Sequence, residues 1–210
     1  MFKQLRLFVV MGILVAPELA AQGGTIESGT IRLTAISGGL AHGSALVVDP
    51  AGASDTRLSP GPTFGLEVQF PGVLVGSLYL SGSASFSTLH HGSNLGVVAG
   101  PGSSSASVLL GTAGFMFAAS DWFSNLRPTL RVGGGLKSYM FDANGASSSM
   151  SLTGDIGLGF RAGTGPIEIA SEIRFLPSAF DQAKLPLRGL TPQDQQQNDL
   201  LFTIGVTVRP

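Results

Sequence analysis

The 210-residue chain predicts an all-β fold: an antiparallel eight-stranded transmembrane β-barrel with a polar lumen, short periplasmic turns and longer extracellular loops. Three observations carry this reading. Apolar and polar residues alternate with period two in segment after segment, which is the strand pattern. The connections between those segments are by turns long and short, as in outer-membrane barrels. Charged residues make up only 12% of the chain and mean hydropathy is +0.34, whereas a soluble domain carries about 25% charged residues.

The N-terminus reads as an address. Residues 1–21 have the form of a secretory signal peptide, with Lys3 and Arg6 as the positive region and Leu7 to Val15 as the apolar stretch. Pro17 breaks that stretch, and Leu19-Ala20-Ala21 offers small residues before a cut, so Gln22 is the expected mature start. Residues 22–28 are then a short periplasmic segment, and residues 29–210 form the barrel. No later apolar run approaches the ~20 residues of a membrane helix, and the 30 glycines argue against one. The absence of cysteine excludes a disulfide scaffold and a thiolate metal site. A net charge of −1 supplies no bulk field for nucleic acid.

The clearest strand spans Met150 to Ala162. Met150, Leu152, Ile156, Leu158 and Phe160 share one face, opposite Ser151, Thr153, Asp155, Gly157, Gly159 and Arg161. The first strand, Thr30 to Ala35, sets Ile31 and Leu33 against Arg32 and Thr34. Thr63 to Phe70 sets Phe64, Leu66 and Val68 against Gly65, Glu67 and Gln69. Ser77 to Thr88 sets Leu78, Leu80, Ala84 and Phe86 against Tyr79 and a row of serines. In Ser107 to Phe117, Leu109, Ala113, Phe115 and Phe117 share a face. Thr129 to Met140 sets Leu130, Val132 and Leu136 against Arg131, Lys137 and Tyr139. Ile167 to Phe175 sets Ile167, Ile169 and Ile173 against Glu168, Glu172 and Arg174. Asp199 to Arg209 carries Leu200, Phe202, Ile204, Val206 and Val208 on one face. Eight is the smallest strand number in the bacterial range.

The connections add independent support. Gly39 to Pro62, His90 to Ser105 and Pro177 to Asn198 read as long loops, and Asp142 to Ser148 as one of middle length. Pro71-Gly72, the link through Trp122 and Asn125, and Gly163-Thr164-Gly165-Pro166 read as tight turns. An even strand count places both termini at the turn end.

Alternation alone does not say which face is inside. A lipocalin-like barrel buries its apolar face, and a membrane barrel exposes it. Here the polar face is mostly Gly, Ser and Thr, which suit a narrow, filled lumen. Its charges are mixed in sign: Arg32, Glu67, Arg131, Lys137, Asp155, Arg161, Glu168, Glu172 and Arg174. A closed lumen can pair them, and buried charges demand pairing. Phe70, Trp122, Phe123, Phe175 and Phe180 near strand ends suit interfacial girdles.

With these segments in place, the chain resembles the small bacterial outer-membrane barrels of the OmpA-transmembrane, OmpX and OmpW type. The likeness is one of organisation over nearly the whole mature chain. It is most marked in Arg127-Pro128-Thr129-Leu130-Arg131-Val132-Gly133-Gly134-Gly135-Leu136 and in the terminal strand from Asn198 to Arg209. The resemblance implies a Gram-negative outer-membrane location, contact with outer-membrane lipid, and recognition of the last strand by the barrel-insertion machinery. This chain closes on Val208-Arg209-Pro210, where that family's last strand often ends in an aromatic residue.

His42, His90 and His91 fall in or near expected outer loops and read as polar rim residues. A metal at His90-His91, or His90 as a general base near Ser83, Ser85 or Ser87, is the competing reading. Gly133-Gly134-Gly135 lacks the Lys-Ser/Thr and the strand-to-helix context of a phosphate loop. Asp194 to Asn198 reads as a solvated loop. The expectation is therefore no catalytic residue, no cofactor and no metal. The sharpest functional candidates are Arg131, Lys137, Glu168, Glu172 and Arg174, with Asp155 and Arg161 contributing. All lie on the polar face of consecutive strands; the resemblance implies a paired cluster that closes the lumen, with a structural ion-pair network as the leading reading and a gate as the alternative. A structural or surface-interaction role leads. A narrow pore, a secreted soluble barrel binding an apolar ligand, and a lipid-modifying enzyme follow. The loops name no extracellular partner.

Overall fold

The computed structural model describes residues 30–47, 56–72, 76–91, 102–119, 125–142, 146–163, 165–185 and 194–209. The expected signal peptide, the segment 22–28, Trp122 and Phe123 lie outside the described residues. Eight long strands build the molecule: β1 (Arg32–His42), β2 (Gly61–Phe70), β3 (Ser77–His91), β4 (Gly102–Ala118), β5 (Leu126–Phe141), β6 (Ser149–Ala162), β7 (Ile167–Asp181) and β8 (Asp194–Val208). Each pairs antiparallel with its neighbours in sequence. β1 pairs with β8 from Leu33↔Val208 to His42↔Asp199, which closes the barrel. Closure satisfies every edge, the one arrangement in which strands can face hydrocarbon.

One end of the barrel carries the connections 71–76, 119–125 and 163–166, here called the turn end. The opposite loop end carries 43–60, 92–101, 142–148 and 182–193. A two-residue ladder, Arg57–Leu58, pairs with His90 and Leu89 and prolongs β2 across Ser59-Pro60. Pro60 has no N–H to offer a ladder. The Ser59 N–H donates to the Thr88 carbonyl at 2.9 Å, and the Thr88 N–H donates to Ser59 Oγ at 3.0 Å.

The side chains sort as the alternation requires over most of the barrel. Leu33, Leu66, Leu80, Phe115, Leu158 and Ile173 point outward and are exposed, with Leu152 the extreme at 78%. Arg131, Lys137, Asp155, Arg161 and Arg174 point inward and are at most 2% exposed. This is the polarity of a membrane barrel, reversed from that of a soluble one.

The strands run past the expected boundaries at the loop end, and there the polarity turns over. Gly39 to His42, His90-His91, Gly102 to Ser105, Pro177 to Asp181 and Asp194 to Asn198 are strand, not loop. Facing out at this end are Thr88, His90, Ser103, Ser105, Gln196 and Asn198, while Met140 and Met150 keep β5 and β6 apolar outside. Facing in are Leu40, Leu89, Val108, Leu110, Tyr139, Leu176, Phe180 and Leu201, covered by Leu46, Val47 and Leu185. The lumen is thus polar towards the turn end and largely apolar towards the loop end. Phe180, expected in an interfacial girdle, is fully buried in this inner cluster and packs edge-on to Tyr139 at 5.2 Å. Where the outside is polar, the ordinary rule of apolar-in returns.

Candidate functional site in the barrel lumen

The ionisable residues expected inside the barrel all stand in its lumen, and they meet in three groups. The central group joins β2, β3, β5, β6 and β7. Arg131 pairs with Glu67, with Glu172 at 2.9 Å and with Asp155 at 3.6 Å, and its guanidinium lies 4.1 Å above the centre of the Tyr79 ring. Arg174 grips Asp155 at two points, Nε at 3.0 Å and Nη2 at 2.6 Å, and Nη2 also donates to Thr112 Oγ1 at 2.8 Å. The Tyr79 hydroxyl donates to Asp155 Oδ2 at 2.8 Å. The Gln69 amide donates to Glu67 Oε1 at 2.7 Å. The two-point Arg174–Asp155 pair is of the strong kind, and the several carboxylates around Arg131 answer the desolvation that isolated buried charges suffer.

Gly133 makes this group possible. It faces the lumen between Arg131 and Gly135, and a Cβ there would collide with the Tyr79 hydroxyl and the Ala113 carbonyl. The glycine run is thus a matter of packing. Gly133→Ala is expected to displace the Tyr79 ring and cost about 1–3 kcal/mol, the usual penalty of overpacking, read as a lower urea midpoint for unfolding.

The second group lies at the turn end. Glu168 accepts from both Arg127 and Arg209. Arg32 is buried at the foot of β1, and Arg161 stands opposite Arg127 across the β5–β6 ladder. Arg161 pairs loosely with Glu67 at 3.7 Å. Glu168, expected in the central network, belongs to this separate group.

The third group sits among the apolar residues of the loop end. Lys137 Nζ lies 2.6 Å from Asp199 Oδ2 and donates to Ser178 Oγ at 3.0 Å. His42 Nδ1 lies 3.0 Å from the same Asp199 oxygen, and His42 Nε2 lies 3.3 Å from Ser87 Oγ. Lys137 therefore does not join the arginine network. His42 is not a rim residue: it ends β1 with a 2% exposed side chain. His90 and His91 end β3, the first exposed and the second buried, and among the described residues no group of three or more His, Cys, Asp or Glu is placed to hold a metal ion. The Ser87–His42–Asp199 order is that of a nucleophile relay. Here Lys137 balances Asp199, and the next inward residues on the same strands, Leu40, Leu89 and Leu201, belong to the apolar cluster. Sequence alone offered no sign of it, because His42 and Ser87 meet across β2, where Gly61 leaves the space; a Cβ there would come within 2.8 Å of Ser87 Oγ.

A closed eight-stranded barrel with outward apolar rows and an inward ion-pair network is the architecture of the small outer-membrane barrels. Among solved structures it is similar to the crystal structure of Neisserial surface protein A (NspA), with a TM-score of 0.58 and 13% identity over 88% of this chain and 100% of that chain. That likeness is one of fold. No protein-family model matches the chain, and no curated protein matches it in sequence.

Proposed function

We propose that the chain is a non-enzymatic outer-membrane barrel with a structural or surface-interaction role. The observation that carries this is the polarity change along the barrel. Rows of exposed Leu, Ile and Phe cover the turn-end part, and at the loop end β3, β4 and β8 carry a polar exterior over an apolar interior. A band that meets lipid and an extension that meets water account for both halves at once. The likeness to a surface protein's barrel supports the same reading. The loop end then stands outside the cell, where contacts with a partner fall to its connections. The Arg131–Glu67–Glu172–Asp155–Arg174 network fills the lumen across its width and acts as a plug, in keeping with the filled interior of eight-stranded barrels.

The test is folding in detergent, with boiled and unboiled samples compared on a denaturing gel. A compact, heat-sensitive band that forms only with detergent is the expected result. Planar bilayers holding the folded protein are expected to show no steady conductance. A chain that stays soluble and monomeric without detergent, and shows no shifted band, would falsify the membrane reading in favour of a soluble ligand-binding barrel.

A further inference from the structure

Among the described residues, the turn end of the lumen carries more cationic than anionic side chains. Arg32, Arg127, Arg161 and Arg209 gather there around Glu168, whose Oε1 accepts from both Arg127 and Arg209. Arg161 stands opposite Arg127 across one ladder and opposite Ala170 across the other. Glu168 is the next inward residue along β7 from Ala170, a step of roughly 7 Å. Arg161 and Glu168 thus lie on neighbouring strands of the turn-end lumen, one inward step apart.

Both residues end in polar atoms without a hydrogen-bond partner among the described residues. Arg161 is 2% exposed, and its Nε and Nη1 have no hydrogen-bond partner among the described residues. Its Nη2 donates to the Met116 sulfur at 3.3 Å, a weak acceptor. The carboxylate oxygen it faces at 3.7 Å, Glu67 Oε1, already accepts from Gln69. Glu168 is 1% exposed, and its Oε2 has no partner either. Buried polar atoms of folded proteins are nearly always satisfied, so these orphans call for a partner, a water or a bound ion. Here bare cationic donors and a bare carboxylate oxygen stand on neighbouring strands at the same end of the lumen. A plain anion satisfies the first and is repelled by the second. An anion that still carries a proton satisfies both: its oxygens accept from Arg161, and its hydroxyl donates to Glu168 Oε2. The side chains of Arg127 and Arg209, 15% and 30% exposed, leave the mouth within reach of solution.

We propose that the turn-end mouth binds a protonated phosphate, either inorganic phosphate or a phosphomonoester headgroup, with Arg161 as the anion anchor and Glu168 as the acceptor of the phosphate proton. Sulfate has the same shape but carries no proton at neutral pH, and a phosphodiester carries none.

The full chain, folded in dodecyl maltoside and checked by its heat-sensitive gel band, is titrated calorimetrically with sodium phosphate at neutral pH. Saturable binding in the millimolar range or tighter is expected, with sulfate weaker by about tenfold or more for want of one charge-assisted hydrogen bond. Arg161→Lys keeps the charge and removes the planar donors, so it should weaken phosphate binding by about tenfold while the gel band persists. Glu168→Gln offers a donor to either anion, and the two affinities should converge. A flat phosphate titration of folded protein overturns the site. An unchanged affinity in Arg161→Lys removes the anchor, and equal affinities for phosphate and sulfate in the native chain remove the role of Glu168. Dihexanoylphosphatidic acid that competes with phosphate assigns the site to a headgroup; failure to compete assigns it to the free ion. Equal competition by dihexanoylphosphatidylglycerol, a phosphodiester, overturns the proton-dependent recognition.

Discussion

Asp155→Ala is expected to destabilise the folded barrel by roughly 3–5 kcal/mol, the cost of removing one partner from a buried charge pair. Asp155 is fully buried and serves three partners at once. It receives both Nε and Nη2 of Arg174, it accepts from the Tyr79 hydroxyl, and it stands 3.6 Å from Arg131. Alanine leaves Arg174 with the hydroxyls of Thr112 and Ser81 in place of a carboxylate. Asp155→Asn keeps an acceptor for one donor and should cost less than alanine, since the amide preserves hydrogen bonding but not charge. The measurement is the urea dependence of the heat-sensitive gel band for protein folded into lipid vesicles. A loss below about 1 kcal/mol would mean that the network behaves as a solvated surface cluster. In that case the plug assigned to it would have to be given up.

How much of this was legible depended on where a residue stands along the barrel axis. Within the band where the outside is apolar, strict alternation identifies both faces, and Leu152, Asp155, Leu158 and Arg161 on β6 fall where the pattern puts them. Nearer the loop end, the outside is polar and the inside apolar, and the serines, glutamines and histidines there lose the contrast that marks a strand. Asp194 to Asn198 resembles a solvated loop for that reason. It is in fact paired residue for residue with Pro177 to Asp181, and Gln197 is buried with its amide donating to the Ala45 carbonyl at 3.0 Å. Which charges share a face could be read from the sequence, but who pairs with whom could not. Partners such as Glu67 and Arg131, or Lys137 and Asp199, lie on strands that are not neighbours, so their meeting depends on register and stagger around the whole barrel. The same holds for Tyr79, which reads as one polar-face residue among serines and turns out to lie against Arg131.

The exposed apolar rows make a second large prediction, one that separates lipid from water as their solvent. Ile204 is the middle residue of the outward row Leu200, Phe202, Ile204, Val206 and Val208 on β8, and it is 65% exposed. In a bilayer, Ile204→Arg places a guanidinium near the middle of the hydrocarbon and should cost about 2–4 kcal/mol. On a soluble barrel the same exposed substitution stays within about 0.5 kcal/mol. Gln196 supplies the internal control, because it points outward from the same strand at the loop end, where the exterior is polar. Gln196→Arg should therefore leave stability within about 0.5 kcal/mol. Both variants keep the lumen, the network and the strand pairing unchanged, so their difference reports only what lies outside the wall. Urea titration of vesicle-folded protein gives that difference directly. If the two variants cost the same, the apolar belt does not face hydrocarbon, and its exposed leucines and isoleucines must be covered by protein instead.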